Sequence, residues 1–296
     1  MKTRRRGTQG RVGARSACSR SISASAFALG ILSLAPGTAS GQFEAYRQRD
    51  RGGSGVASSQ FATFVQAGEL VAYPIYEYYR SDSAEYKPSE LGYTGDVDYF
   101  GRYRAHEGLL FVGYGVTDRL LLELEAAVIT ARQEKASDDA SAFPATLRQS
   151  GLGDVEAQLR YRWGEETETR PEIFGYFETV FPFQKAKKLI GTSSWELKYG
   201  MGLARSRSWG TTTLRASVAW TEGKAEIGEY AVEYVRGVSD RVRVYAGIEG
   251  TQDEVALITE AQISLARNVR LKLNNSVGLT SKATGWAPEV GVMFVF

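Results

Sequence analysis

The chain has 296 residues and a mass of 32.5 kDa, with 32 Gly, 16 Tyr and only 7 Pro, a composition of strands and tight turns rather than of a disordered chain. Its formal net charge is +2 and its pI is near 8.5 with no basic block in the body, which removes the case for nucleic acid. Beyond the leader no run approaches the length of about 18 apolar residues that a membrane helix needs, so helical spans are excluded.

Residues 1–41 read as a signal peptide. MKTRRRGTQGRVGARSACSR is basic, and SISASAFALGILSLAPGTAS supplies an apolar core from Ala24 to Leu34 and small residues for cleavage after Ser40 or Gly41. An Arg-rich transit peptide is the competing reading. Cys18, the one cysteine, falls in this leader, so the exported chain would carry neither a disulfide nor a Cys–metal site. Residues 42–68 are expected to form a periplasmic N-terminal segment, and 69–296 a barrel.

From Glu69 onward the recurring signal is a period of two, which puts alternate side chains on opposite faces of a strand. Glu69–Arg80, Glu107–Val116 and Leu120–Ala131 are the first candidates, the last with Glu123 and Glu125 among leucines. In VEAQLRYRW, Val155, Ala157, Leu159, Tyr161 and Trp163 oppose Glu156, Gln158, Arg160 and Arg162. Glu172–Phe183 follows, and then Trp195–Leu203, with Glu196 and Lys198 on its polar face. Leu214–Trp220 carries Arg215, Ala225–Arg236 carries Glu229 and Glu233, and the strand from Val242 sets Arg241 and Arg243 against valines. Val255–Leu265 bears Glu260, Leu271–Leu279 is flanked by Arg270 and bears Lys272, and Val290–Phe296 closes the chain. Strands of this length match a tilted membrane crossing better than a soluble sheet. Twelve are expected, with ten or fourteen as alternatives, in an all-β, antiparallel, up-and-down transmembrane barrel.

GYGVTDR at Gly113 and VRGVSDR at Val235 share Gly-Val-(Thr/Ser)-Asp-Arg between strands, where the Asp is expected to initiate the turn. With both termini on one side these turns are periplasmic, and the longest connections, Ser81–His106 and Arg132–Asp154, lie outside the cell. Trp195, Trp220 and Trp286 then fall at the outer rim and Trp163 and Trp209 at the inner one, as two aromatic girdles require, with Phe296 at the inner girdle.

The charged face is the predicted lumen lining: a solute path, or ion pairs that fill a narrow barrel. His106, the only histidine, is the one residue a hydrolase reading can use. Gly151, Gly153 and Asp154 are expected to join loop to barrel with unusual backbone angles rather than to cradle phosphate. Glu134, Asp138 and Asp139 are candidate calcium ligands, with solvated loop acids as the alternative. No cofactor is expected.

SGLGDVEAQLRYRW resembles the strand opening of the family called MetA-pathway of phenol degradation, and the Gly-Val-Thr/Ser-Asp-Arg turns are similar to that family's short turns. The resemblance, over roughly 107–296, implies an outer-membrane protein for passive uptake of small, often aromatic compounds, and it implies no catalytic residues. The inner face departs from it in being heavily charged rather than oily. GVMFVF resembles the C-terminal signal read by the barrel assembly machinery, through Phe296. The expected partners are therefore outer-membrane lipid, that machinery and a small solute. The function reading is an outer-membrane channel, the alternatives being a structural or adhesive surface barrel and a hydrolase using His106.

Overall fold

The computed structural model describes residues 67–266 and 268–296. The expected signal peptide and nearly all of the 42–68 segment lie outside the described residues.

Alternation is realised as twelve antiparallel strands closed into one barrel. They are β1 (Leu70–Tyr86), β2 (Tyr99–Thr117), β3 (Leu120–Glu134), β4 (Thr146–Gly164), β5 (Glu172–Phe181), β6 (Glu196–Arg207), β7 (Gly210–Thr221), β8 (Lys224–Gly237), β9 (Val242–Gly250), β10 (Val255–Ala266), β11 (Val269–Gly278) and β12 (Ala287–Val295). Each pairs with its neighbours in sequence, and β1 pairs with β12 to close the ring. At that seam Leu70 N donates to Phe296 O at 3.1 Å and Phe296 N donates to Leu70 O at 2.8 Å, so the last residue of the chain completes the wall.

The exterior is an apolar belt. Leu110, Leu122, Leu124, Val128, Leu159, Tyr199, Val218, Val232, Leu273 and Val290 are all exposed, which water would penalise and lipid does not. On β2 the outward residues run from His106 to Val116; at about 3.3 Å per residue and a tilt near 45° this covers about 23 Å along the membrane normal, close to the height of an outer-membrane belt.

β1 to β4 are longer than the sequence reading expected. The connections placed at Ser81–His106 and Arg132–Asp154 shrink to 87–98 and 135–145, because the wall continues above the lipid. There the outward residues become Arg80, Arg102, Arg104, Arg132 and Arg148, and the apolar alternation that marks a membrane strand disappears. His106 lies within β2, not at a loop end.

The turns also differ in one detail. In both Gly-Val-(Thr/Ser)-Asp-Arg turns the hydroxyl, not the Asp, organises the backbone: Thr117 Oγ1 accepts from Leu120 N at 3.0 Å, and Ser239 Oγ accepts from Val242 N at 3.2 Å. Asp118 Oδ1 instead accepts from Ala67 N at 3.3 Å.

Candidate functional site

The barrel interior has two walls of different chemistry. On the polar wall, the charges from Arg160 round to Glu249 form one connected network. Arg160 (β4), 0% exposed, donates to Glu123 (β3) at 2.9 Å and to its neighbour Gln158 at 3.0 Å. Gln158 donates to Glu178 (β5) at 2.7 Å, Glu178 takes a bond from Lys198 (β6) at 2.7 Å, and Lys198 also reaches Glu229 (β8) at 2.9 Å and Glu196 at 3.7 Å. Arg215 (β7), whose side chain is likewise wholly buried, binds Glu229 at 2.9 Å, Glu249 (β9) at 2.6 Å and Glu233 at 3.4 Å. Arg162 pairs with Glu172 at 3.1 Å. Further round, Lys272 (β11) pairs with Glu260 (β10) at 3.0 Å and sits 4.8 Å from the ring of Tyr73. Buried charges persist where they are paired and hydrogen-bonded in this way.

Alternation also carries Glu125, Glu156, Arg243 and Arg270 to the inner face. Arg241 is a correction: it lies in the exposed turn between β8 and β9, outside the lumen. Trp195, Trp220 and Trp286 stand exposed at the end of the barrel that carries the 87–98 and 135–145 connections, and Trp163, Trp209 and Phe296 stand exposed at the opposite end.

The other wall is oily, whereas the inner face was expected to be heavily charged rather than oily. Val71, Tyr73, Ile75 and Tyr79 of β1, Tyr103, Leu109 and Phe111 of β2, and Leu121 and Ile129 of β3 form a buried cluster with Met293 and Val295 of β12. The cause is visible in β1 and β2: apart from Glu77 and Glu107, which are buried inside, both faces are largely apolar, one toward lipid and one toward the lumen, so hydropathy alone does not separate them. Phe174 and Tyr176 of β5 join this cluster by lying flat over β6, where a Cβ at Gly202 or Gly200 would come within 2.2 or 2.0 Å of their rings. Glu172 and Glu178 were missed for the same reason: β5 is apolar on both faces around them.

An inward loop meets the two walls. Residues 182–195, between β5 and β6, turn back over β4, and Leu189 and Ile190 enter the same cluster as Ile129, with Ile190 0% exposed. The Gly-Leu-Gly-Asp stretch is its seat. Asp154 Oδ2 accepts from Thr192 N at 2.5 Å, Gln149 Oε1 accepts from Leu189 N at 2.7 Å, and Lys187 Nζ donates to Ser150 O at 2.6 Å. Gly151 has φ of +144°, a conformation suited to glycine. Gly153 is small for a different reason, since a Cβ there would lie 2.8 Å from Ile129 and 3.4 Å from Ile190 O.

His106 faces lipid. Its Nδ1 is 2.7 Å from the Tyr76 hydroxyl and its ring is 5.0 Å from that of Tyr78, the surroundings of a belt residue. Glu134 pairs with Arg102 and Arg132, and Asp139 accepts from Tyr86 and Ser141. Among the described residues no group of three or more His, Cys, Asp or Glu is placed to hold a metal ion.

No family model matches the chain, and no curated protein does. Solved structures do. An outer membrane channel from Pseudomonas putida F1 superposes with a TM-score of 0.62 at 15% identity, covering 81% of this chain and 100% of that one. The chain is an outer-membrane β-barrel. More distant likenesses are a KdgM porin (TM-score 0.46, 11% identity, 76% and 99% covered) and the translocator domain of the autotransporter NalP from Neisseria meningitidis (0.46, 10%, 86% and 95%). At these identities what is shared is the fold. In this barrel, then, the outward belt faces lipid, and the two inner walls and the 182–195 loop fill the interior.

Proposed function

We propose that this barrel is a passive outer-membrane channel for small amphipathic solutes, with aromatic or organic acids as the class that fits it best. The observation that carries the reading is the two-walled interior. An aromatic ring would move along Tyr79, Tyr103 and Phe111 while its carboxylate is drawn toward the cations buried in the polar wall, Lys198 and Arg215, and toward Lys272 beside Tyr73. Those cations already hold glutamates, so a solute anion competes for them and is bound weakly, as conduction requires. The channel from Pseudomonas putida supports the reading through its shared fold.

The test is flux through the purified full barrel in liposomes and planar bilayers, comparing benzoate with a neutral sugar of similar size. Faster benzoate entry is expected, and no conductance together with no solute flux removes the proposal. The tight pairing of Arg160 and Arg215 favours a second reading, a surface barrel cross-linked by its own charges that acts through its outer loops. An inert barrel whose loss abolishes surface binding but leaves uptake unchanged is the outcome that selects it.

A further inference from the structure

Four arginines stand in one row across the outside of the barrel. Register pairs Arg80 of β1 with Arg104 of β2, Arg104 with Arg132 of β3, and Arg132 with Arg148 of β4. Cross-strand partners point to the same face, and this face is the outer one: the adjacent residues Tyr79, Tyr103 and Ala131 are buried inside, and Gln149 binds the inward loop. Directly opposed like charges destabilise a sheet, so four in succession call for an anion. Asp82 bonds Arg80 at 2.9 Å and Arg104 at 2.5 Å, and Glu134 bonds Arg102 at 2.8 Å and Arg132 at 2.7 Å. That leaves five guanidinium groups against two carboxylates.

The height of the row identifies its surroundings. Arg80 is bridged to Trp286, whose backbone exchanges two 2.8 Å bonds with it, so the β1 end of the row lies at the outer aromatic girdle, and the tilt of the strands inclines the rest of the row to the membrane plane. Membrane-ward comes a polar row, Tyr78, His106, Thr130 and Ser150, and then the exposed apolar residues Val128 and Leu152. From Arg132 to Val128 is about 13 Å along the strand, or about 9 Å along the normal at 45° tilt. Along each of these strands the order toward the membrane is cationic, hydroxyl-rich, apolar.

We propose that this strip of β1 to β4 is a binding site for a phosphorylated glycolipid of the outer leaflet, with its phosphate on the arginine row, its sugar against the hydroxyl row and its acyl chains on the belt below. Guanidinium forks take phosphate oxygens in pairs, which a lysine cannot reproduce. The thickness of the hydroxyl layer suits a sugar headgroup rather than a phosphate attached directly to the acyl region.

The test uses the full folded barrel in detergent and native mass spectrometry with bisphosphorylated lipid A, lipid A stripped of both phosphates, and inorganic phosphate as competitor. The wild type should retain the phosphorylated lipid at least about tenfold more tightly than the stripped one, and Arg104→Gln/Arg132→Gln should lose that preference. Without lipid the double variant should melt no earlier than the wild type, since it relieves like-charge opposition; a purely structural role for the ion pairs lowers the melting point instead. Arg148→Gln, at the end of the row, should show a smaller loss in the same direction and keeps the test valid if the double variant misfolds. Equal retention of the two lipid forms, unchanged binding in both variants, or full displacement by millimolar inorganic phosphate would each overturn the proposal.

Discussion

Substituting Asp154 by Ala should release the inward loop while leaving the barrel folded. The side chain makes one bond to the loop, from Thr192 N at 2.5 Å, and the acceptor is a buried carboxylate. A hydrogen bond to a charged group contributes about 1.5 to 3 kcal/mol, so its loss should raise the population with the loop out by roughly 10- to 150-fold. Gln149→Ala, which removes a neutral acceptor from Leu189 N, should give a weaker effect of about fivefold. Hydrogen exchange reads this directly: amides 187–192 should exchange faster in proportion, while β3 and β4 amides keep their protection. In planar bilayers the same variant should visit a higher-conductance level more often. Unchanged exchange at 187–192 in Asp154→Ala would show that the Gly-Leu-Gly-Asp seat does not hold the loop, whatever the channel does.

Arg215→Met removes the guanidinium that joins Glu229, Glu233 and Glu249, and breaking a buried charge network costs about 3 to 5 kcal/mol; the temperature at which the folded band is lost on gels should fall clearly, and an unchanged midpoint would mean that the lumen is wet enough to screen these charges. Gly200→Ala drives a Cβ to within 2.0 Å of the Tyr176 ring and should destabilise the barrel by about 1 to 3 kcal/mol, whereas Gly108→Ala, with nothing within 4 Å, should be silent. The 135–145 loop should be indifferent to pH from 8 to about 5 and loosen in acid. Burial opposes ionisation of Asp139, but bonds from Ser141 and the Tyr86 hydroxyl outweigh it and hold the carboxyl below its usual range. Stability from a depressed carboxyl is complete above its unfolded value, near about 4, and disappears as pH falls through the folded one. Digestion with an acid-active protease checks this, and loop cleavage that rises already between pH 7 and 5 would contradict it.

Much of this architecture was legible in the residues. A side chain's face depends only on its parity along a strand, so Glu156, Arg160, Lys198, Arg215, Glu233 and Lys272 could be assigned inward without knowing any neighbour. The same parity yielded twelve strands and the tryptophans at their ends. Three things were hidden, each for a physical reason. Where lipid outside and an oily wall inside demand the same residues, as in β1 and β5, parity carries no contrast. Where strands leave the membrane, as at Arg104 and Arg132, the apolar face that signals them ends before the hydrogen bonding does. Arg241, one residue beyond the alternating run of β9, falls in a turn, where parity no longer applies.

The sequence by itself thus determined a closed outer-membrane barrel, because lipid and backbone hydrogen bonding impose a local, repeating pattern on every crossing strand. Only the tertiary structure decided what the barrel encloses and presents. Which glutamate Arg215 holds, where Ile190 seats and that Arg80, Arg104, Arg132 and Arg148 form one row all depend on register between strands and on a loop's return path. Those are set by contacts between residues far apart in the chain, which no periodicity within a single strand records.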